Sequence, residues 1–148
     1  MCDYSLHAVA SRPAKTGDRL ITTHFPDSIT RGLAAVTEPD VAVCLLPGTE
    51  VAFDQEVAYQ HPLGWFRGRR TKGRVARFRQ VNTANSHTHH DAFEFSDGKI
   101  VMVTRLIENQ NLTVLQLPVG ANDAARQAGA STASAQAGRP AAGAMASG

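Results

Sequence analysis

Residues 92–106 constrain the fold more than any other stretch of the chain. They read Ala-Phe-Glu-Phe-Ser, then Asp97-Gly98, then Lys-Ile-Val-Met-Val-Thr-Arg-Leu. Asp-Gly accepts the positive φ angles of a tight hairpin turn, and the flanking runs are rich in aromatic and β-branched side chains. A period near two recurs elsewhere. Residues 19–25 follow the turn pair Gly17-Asp18, residues 74–81 alternate, and residues 112–117 follow Asn109-Gln110-Asn111. Residues 41–46 form a continuous apolar run bounded by Pro47-Gly48, and they are expected to pair with residues 50–53 as a hairpin. Residues 112–117 are expected to close a meander. No long amphipathic helix pattern is present. The expected fold is all-β, a small antiparallel β-barrel or sandwich of six to seven short strands.

The last 28 residues carry 12 alanines and 4 glycines, and no Val, Ile, Leu or aromatic residue. Glycine and proline interrupt every alanine run, and no apolar stripe exists to dock a helix. Residues 1–118 are therefore expected to form the β domain, and residues 119–148 a disordered Ala/Gly-rich tail. No stretch approaches the 18 or so consecutive apolar residues of a membrane span. The N-terminal residues lack the basic and apolar regions of a signal peptide, so the cytoplasm, with reduced thiols, is the expected compartment. Two cysteines, Cys2 and Cys44, do not make a disulfide scaffold. Cys44 lies in an apolar run and reads as a buried, inert thiol.

The densest polar cluster is Ser86-His87-Thr88-His89-His90-Asp91, which holds three of the chain's six histidines. On a strand, residues two apart share a face at roughly 7 Å. His87 and His89 would then converge on one divalent transition metal (Zn, Cu, Fe or Ni), because neutral imidazole suits all four. His90, Asp91 or Cys2 are the next candidate ligands, and a three-ligand site with an open position would permit metal-dependent catalysis. The competing reading is a solvated loop between two strands.

His87-Thr88-His89, then four intervening residues and Glu94, resembles the His-x-His-x(3,4)-Glu core of the first cupin motif. The resemblance covers about a dozen residues. It implies a small β-barrel with a divalent metal on those side chains and on one further histidine. Position 81 is Val81 where the motif has glycine, and no histidine follows His90. His7, His24, His61 or Cys2 would have to complete such a site.

Cys2 is also a candidate in its own right. Removal of Met1 would expose an N-terminal amine beside a thiol, a pair that serves as base and nucleophile in N-terminal-nucleophile hydrolases or chelates a metal. Against the hydrolase version stands the little helix in this chain.

Charge is distributed unevenly. Arg67, Arg69, Arg70, Lys72, Arg74, Arg77 and Arg79 place seven of fifteen basic residues within thirteen positions, with no acid among them. The preceding 66 residues carry four basic and eight acidic residues, a net of −4. Trp65 and Phe66 stand just before the cluster. Arginines for phosphates beside aromatic rings for bases are what single-strand nucleic-acid binding uses. A basic loop of this kind equally suits an acidic protein partner.

Three functional readings follow. The first is a small soluble metal-binding β-barrel protein built on the His-x-His-His cluster. The second is a binding module for nucleic acid or an acidic partner through residues 67–79. The third is an accessory subunit that docks on a larger complex.

Overall fold

The computed structural model describes residues 9–26, 28, 31–61 and 68–120. From residue 121 the expected tail lies outside the described residues. The described chain is all-β, with eleven strands and one 3-10 turn. The strands are β1 (Ser11–Pro13), β2 (Arg19–His24), β3 (Arg31–Ala35), β4 (Glu38–Cys44), β5 (Glu50–Phe53), β6 (Ala58–Tyr59), β7 (Arg69–Arg70), β8 (Val75–Gln80), β9 (Asp91–Phe95), β10 (Ile100–Met102) and β11 (Asn111–Gln116). The turn is Val103–Arg105.

Nine strands form one sheet in the order β1-β4-β3-β2-β11-β5-β8-β9-β10, and β6 pairs with β7 as a separate ribbon. The edges β1 and β10 do not pair with each other. The sheet is therefore open, where a closed barrel of six or seven strands was one expectation. It curls nonetheless: Arg31 Nη1 donates to Leu106 O at 2.6 Å, so the chain beyond β10 reaches back to β3. No helix among the described residues is long and apolar enough to cross a membrane.

The alternation read in the sequence is the alternation of burial. In β8, Ala76 and Phe78 are buried while Val75, Arg77 and Arg79 are exposed. The inner face collects Leu20, Leu33, Val51, Phe53, Phe78, Phe93, Phe95, Val101, Leu112 and Val114 into one core. A smaller cluster of Phe25, Ala34 and Ala42, with Val9 and Ile21 against it, covers the other face of β2–β4. β3 is consequently buried on both sides. Gly32, Leu33, Ala34 and Ala35 are all buried, so the strand shows no alternation to read.

The Asp97-Gly98 hairpin forms as expected. Gly98, at φ 79°, donates to Phe95 O, and Ile100, Val101 and Met102 face Glu94, Phe93 and Ala92. Two expected pairings do not form. β5 pairs with β11 and β8, not with β4. The cause is the turn at Pro47-Gly48. Thr49 N–H donates to Leu46 O at 3.0 Å with Gly48 at φ 97°, which makes it a type II turn. Type II geometry splays the flanking strands instead of pairing them. The final strand is no meander end either. β11 inserts between β2 and β5 in mid-sheet.

Cys44 departs from expectation as well: it is disulfide-bonded and half-buried, not a reduced inert thiol. Composition leaves one intrachain partner, Cys2, which lies outside the described residues.

One ion network ties the first strand down. Arg12 on β1 reaches Asp18 and Glu38, both at 2.8 Å. Burial works against ionisation of Asp18. Hydrogen bonds from the Arg12 guanidinium and the Lys15 backbone N–H outweigh it, and they hold the carboxyl below its ordinary value. A lowered folded-state value contributes stability above the unfolded pKa of about 3.9, which is lost as pH falls through the folded value. Asp18→Asn is expected to cost about 1 kcal/mol at pH 7, given partial solvent screening. It should also flatten the decline of the urea midpoint below about pH 4. An unchanged acid limb in the variant would show that this carboxylate is not the group responsible.

Candidate functional site

The histidine cluster sits in the loop that joins β8 to β9. Val81 N–H donates to His90 O at 2.8 Å and closes the loop, and His90 Nδ1 lies 3.0 Å from Val81 O. Inside it, Asn82 takes a left-handed φ of 55°. Asn85 N–H bonds Asn82 O, and Asn85 Oδ1 accepts the His87 N–H at 3.1 Å. These are local turn contacts of asparagine. The strand starts only at Asp91, so the rule that places His87 and His89 on one face does not operate. Asp91 is buried on the inner side, with Gln80 Nε2 at 3.4 Å from its Oδ1.

Among the described residues no three His, Cys, Asp or Glu side chains gather to hold a metal ion. The expected metal centre on His87, His89, His90 and Asp91 is therefore corrected to a hairpin loop. With it goes the metal-dependent catalysis expected at those residues. The ligand set implied by the cupin-like spacing is likewise not assembled. Cys2 lies outside the described residues.

The basic segment is divided by the fold into three parts. Arg77 and Arg79 lie on the outer face of β8 and pair across strands with Glu50 at 2.9 Å and Glu94 at 2.5 Å. Arg74 Nη1 donates to Asp54 O at 3.1 Å. Arg69, Arg70 and Lys72 remain exposed on and beside the β6–β7 ribbon. Trp65 and Arg67 lie outside the described residues, in the segment that connects the two ribbon strands.

The ribbon is anchored from below. Thr71 is fully buried. Its N–H donates to Val57 O, its hydroxyl donates to Gly73 O, and its Oγ1 accepts the Val57 N–H. Tyr59 faces Arg69 in the ribbon register, and directly opposed residues of a pair point to the same side. On that side a further cation arrives from distant sequence. Lys99 Nζ stands 5.8 Å from the centre of the Tyr59 ring, a cation–π contact. The backbone of Arg105 runs beside the ribbon, where its carbonyl accepts the Gln60 N–H at 2.8 Å and Leu106 bridges to Tyr59. Ion pairs among the described residues use Arg12, Arg19, Arg31, Arg77 and Arg79. Arg69 and Lys99 thus carry unneutralised charge beside one half-buried tyrosine. Sequence reading missed Lys99, because it lies outside the dense run and no local pattern marks it.

The outer face of β5, β8 and β9 holds a depression of about 360 Å³ lined by Glu50, Val75, Arg77, Glu94 and Ser96. Both carboxylates there are taken up by arginines, so neither is a free acid or base. Compared with known protein families, with curated proteins and with solved structures, the chain matches none.

Proposed function

We propose that the chain is a binding module that docks an acidic segment of a protein partner on the Tyr59 side of the β6–β7 ribbon. One observation carries this reading. Arg69, by ribbon register, and Lys99, by a cation–π contact, meet one aromatic side chain from separate parts of the sequence, with no acid pairing them among the described residues. Arginine and tyrosine are enriched where protein interfaces concentrate their energy. Unpaired surface cations steer an oppositely charged partner and set its register.

The same geometry argues against a nucleic-acid track along residues 67–79. Such a track needs a continuous row of free cations for successive phosphates. Here the row is broken by the pairs at Arg77 and Arg79, and by Arg74, which is bonded to a backbone carbonyl. The disulfide at Cys44 favours an oxidising compartment over the reducing cytoplasm expected from the sequence.

Fluorescence anisotropy with a labelled Glu/Asp peptide and an equally charged oligo-dT tests the reading. Saturable peptide binding that weakens with salt is expected. The double change Arg69→Ala, Lys99→Ala should weaken it by roughly tenfold or more. Arg77→Ala with Arg79→Ala should leave it nearly intact. Tighter binding of the oligonucleotide, or an equal loss in the Arg77/Arg79 variant, would overturn it.

A further inference from the structure

A second polar site lies on the opposite side of the ribbon and owes nothing to the partner surface. β5 and β11 run antiparallel, with Leu112 facing Phe53, so residues 54–56 and 109–111 leave the sheet side by side. Asp54 N–H donates to Asn111 O at 3.0 Å where they part. Between these segments and β6–β7 is a cleft of about 260 Å³ with Phe53 in its wall. Its polar rim includes Gln55, Glu56, Arg70, Asn109 and Asn111.

The cleft is held rigidly. The Gln110 side chain acts as an extra strand: its Oε1 accepts the Ala58 N–H at 2.7 Å, and its Nε2 donates to Ala58 O at 2.8 Å. Buried Thr22 fixes the same loop, accepting the Gln110 N–H on Oγ1 and the Asn109 N–H on its carbonyl. Asn109 is held at φ 65°, a left-handed conformation in a non-glycine residue. Such backbone persists where its surroundings over-determine it, and it concentrates at functional sites.

The charges in the cleft are arranged unusually. Asp54 is neutralised by Arg19 at 2.8 Å, and the hydrogen bond from that guanidinium holds its carboxyl below the ordinary value. Glu56 and Arg70 are different. Both line the cleft, yet neither forms an ion pair among the described residues, with the other or with a third group. Two opposite charges lining one cleft match a ligand that carries both charges itself. We propose that the cleft binds a free α-amino acid. Its ammonium lies on Glu56, and its carboxylate lies on the Arg70 guanidinium, whose fork matches a carboxylate with two parallel bonds. The amides of Gln55, Asn109 and Asn111 then face the amino acid's side chain and favour a polar one.

The test is a titration of the full-length ¹⁵N-labelled chain with each standard amino acid, read by amide chemical shifts. At least one is expected to give saturable shifts confined to residues 54–58 and 109–111. Its N-acetyl and carboxamide forms, each lacking one charge, should bind about tenfold more weakly or worse. Glu56→Gln and Arg70→Gln should lose binding to the same degree while keeping the thermal midpoint, because both side chains are exposed. Asn109→Gly keeps the left-handed backbone, and it should alter which amino acid binds best. The Arg69→Ala, Lys99→Ala protein should bind as the unaltered chain does, which separates this site from the partner surface. Absence of saturable shifts with every amino acid overturns the proposal. So does undiminished binding of the capped forms or of both charge variants.

Discussion

Replacing Phe93 by alanine is expected to lower the unfolding free energy by about 3–5 kcal/mol, the range for removing a buried aromatic ring. Phe93 is 0% exposed. It sits on β9 with Phe78 directly opposite on one side and Val101 on the other. Its ring meets Phe53 edge-on at 5.4 Å and Phe78 at 5.7 Å. Edge-to-face contacts add about 0.5–1.5 kcal/mol per pair beyond the area buried. The rings are packed from three strands, so the cavity has no single neighbour free to collapse into it. A domain of this size has roughly 5–15 kcal/mol in total, and the variant should therefore be partly unfolded at 37 °C. Urea denaturation should show a much lower midpoint with an unchanged slope. Val75→Ala, at a position 51% exposed, should move the midpoint by less than about 0.5 kcal/mol. A cost below about 1 kcal/mol at Phe93 would mean that the three rings do not share one core.

The second large effect concerns Cys44. Reduction, or Cys44→Ser, is expected to lower stability by about 2–4 kcal/mol, or roughly 10–15 °C in thermal midpoint. Cys44 ends β4, where it faces Pro13 of β1, and Ala14 N–H donates to Cys44 O at 3.0 Å. β1 is a three-residue edge strand held in parallel register, so it has few contacts of its own to replace a lost constraint. Its remaining anchor is Arg12 on Asp18 and Glu38. Non-reducing intact mass separates the two ways the bond can form. A monomer lacking two hydrogens assigns it to Cys2, and a doubled mass assigns it to a second copy. A thermal midpoint that ignores reductant would contradict a structural role for the bond.

The parts of the fold that were legible in the sequence are those with one face in water. β2, β8, β10 and β11 each alternate, and Asp97-Gly98 marks its turn directly. β3 was hidden because Phe25 and Ala42 cover the face away from the main core. Its Gly-Leu-Ala-Ala run therefore carries neither alternation nor bulk. Strand order was not legible either. Nothing near residues 111–116 says that they complete the sheet between β2 and β5, a pairing that closes over 90 residues of chain. At the surface, the arginine run was visible as composition, but its function depended on partners. Glu50 and Glu94 lie on neighbouring strands and take two of the arginines out of play. Lys99 joins Arg69 only through their shared neighbour Tyr59. The histidines misled for the opposite reason. Their spacing implies convergence only on a strand, and asparagine turns keep residues 82–90 out of one.

The central claim is that the Tyr59 side of the ribbon is the surface that meets a partner. Amide shift mapping of the ¹⁵N-labelled protein during titration with the Glu/Asp peptide tests it most directly. The account predicts saturable shifts clustered on Tyr59, Gln60, Arg69, Lys99 and Arg105, collapsing as salt is raised. Shifts centred instead on residues 82–90, or spread along Arg77 and Arg79 on the outer face of β8, would contradict it.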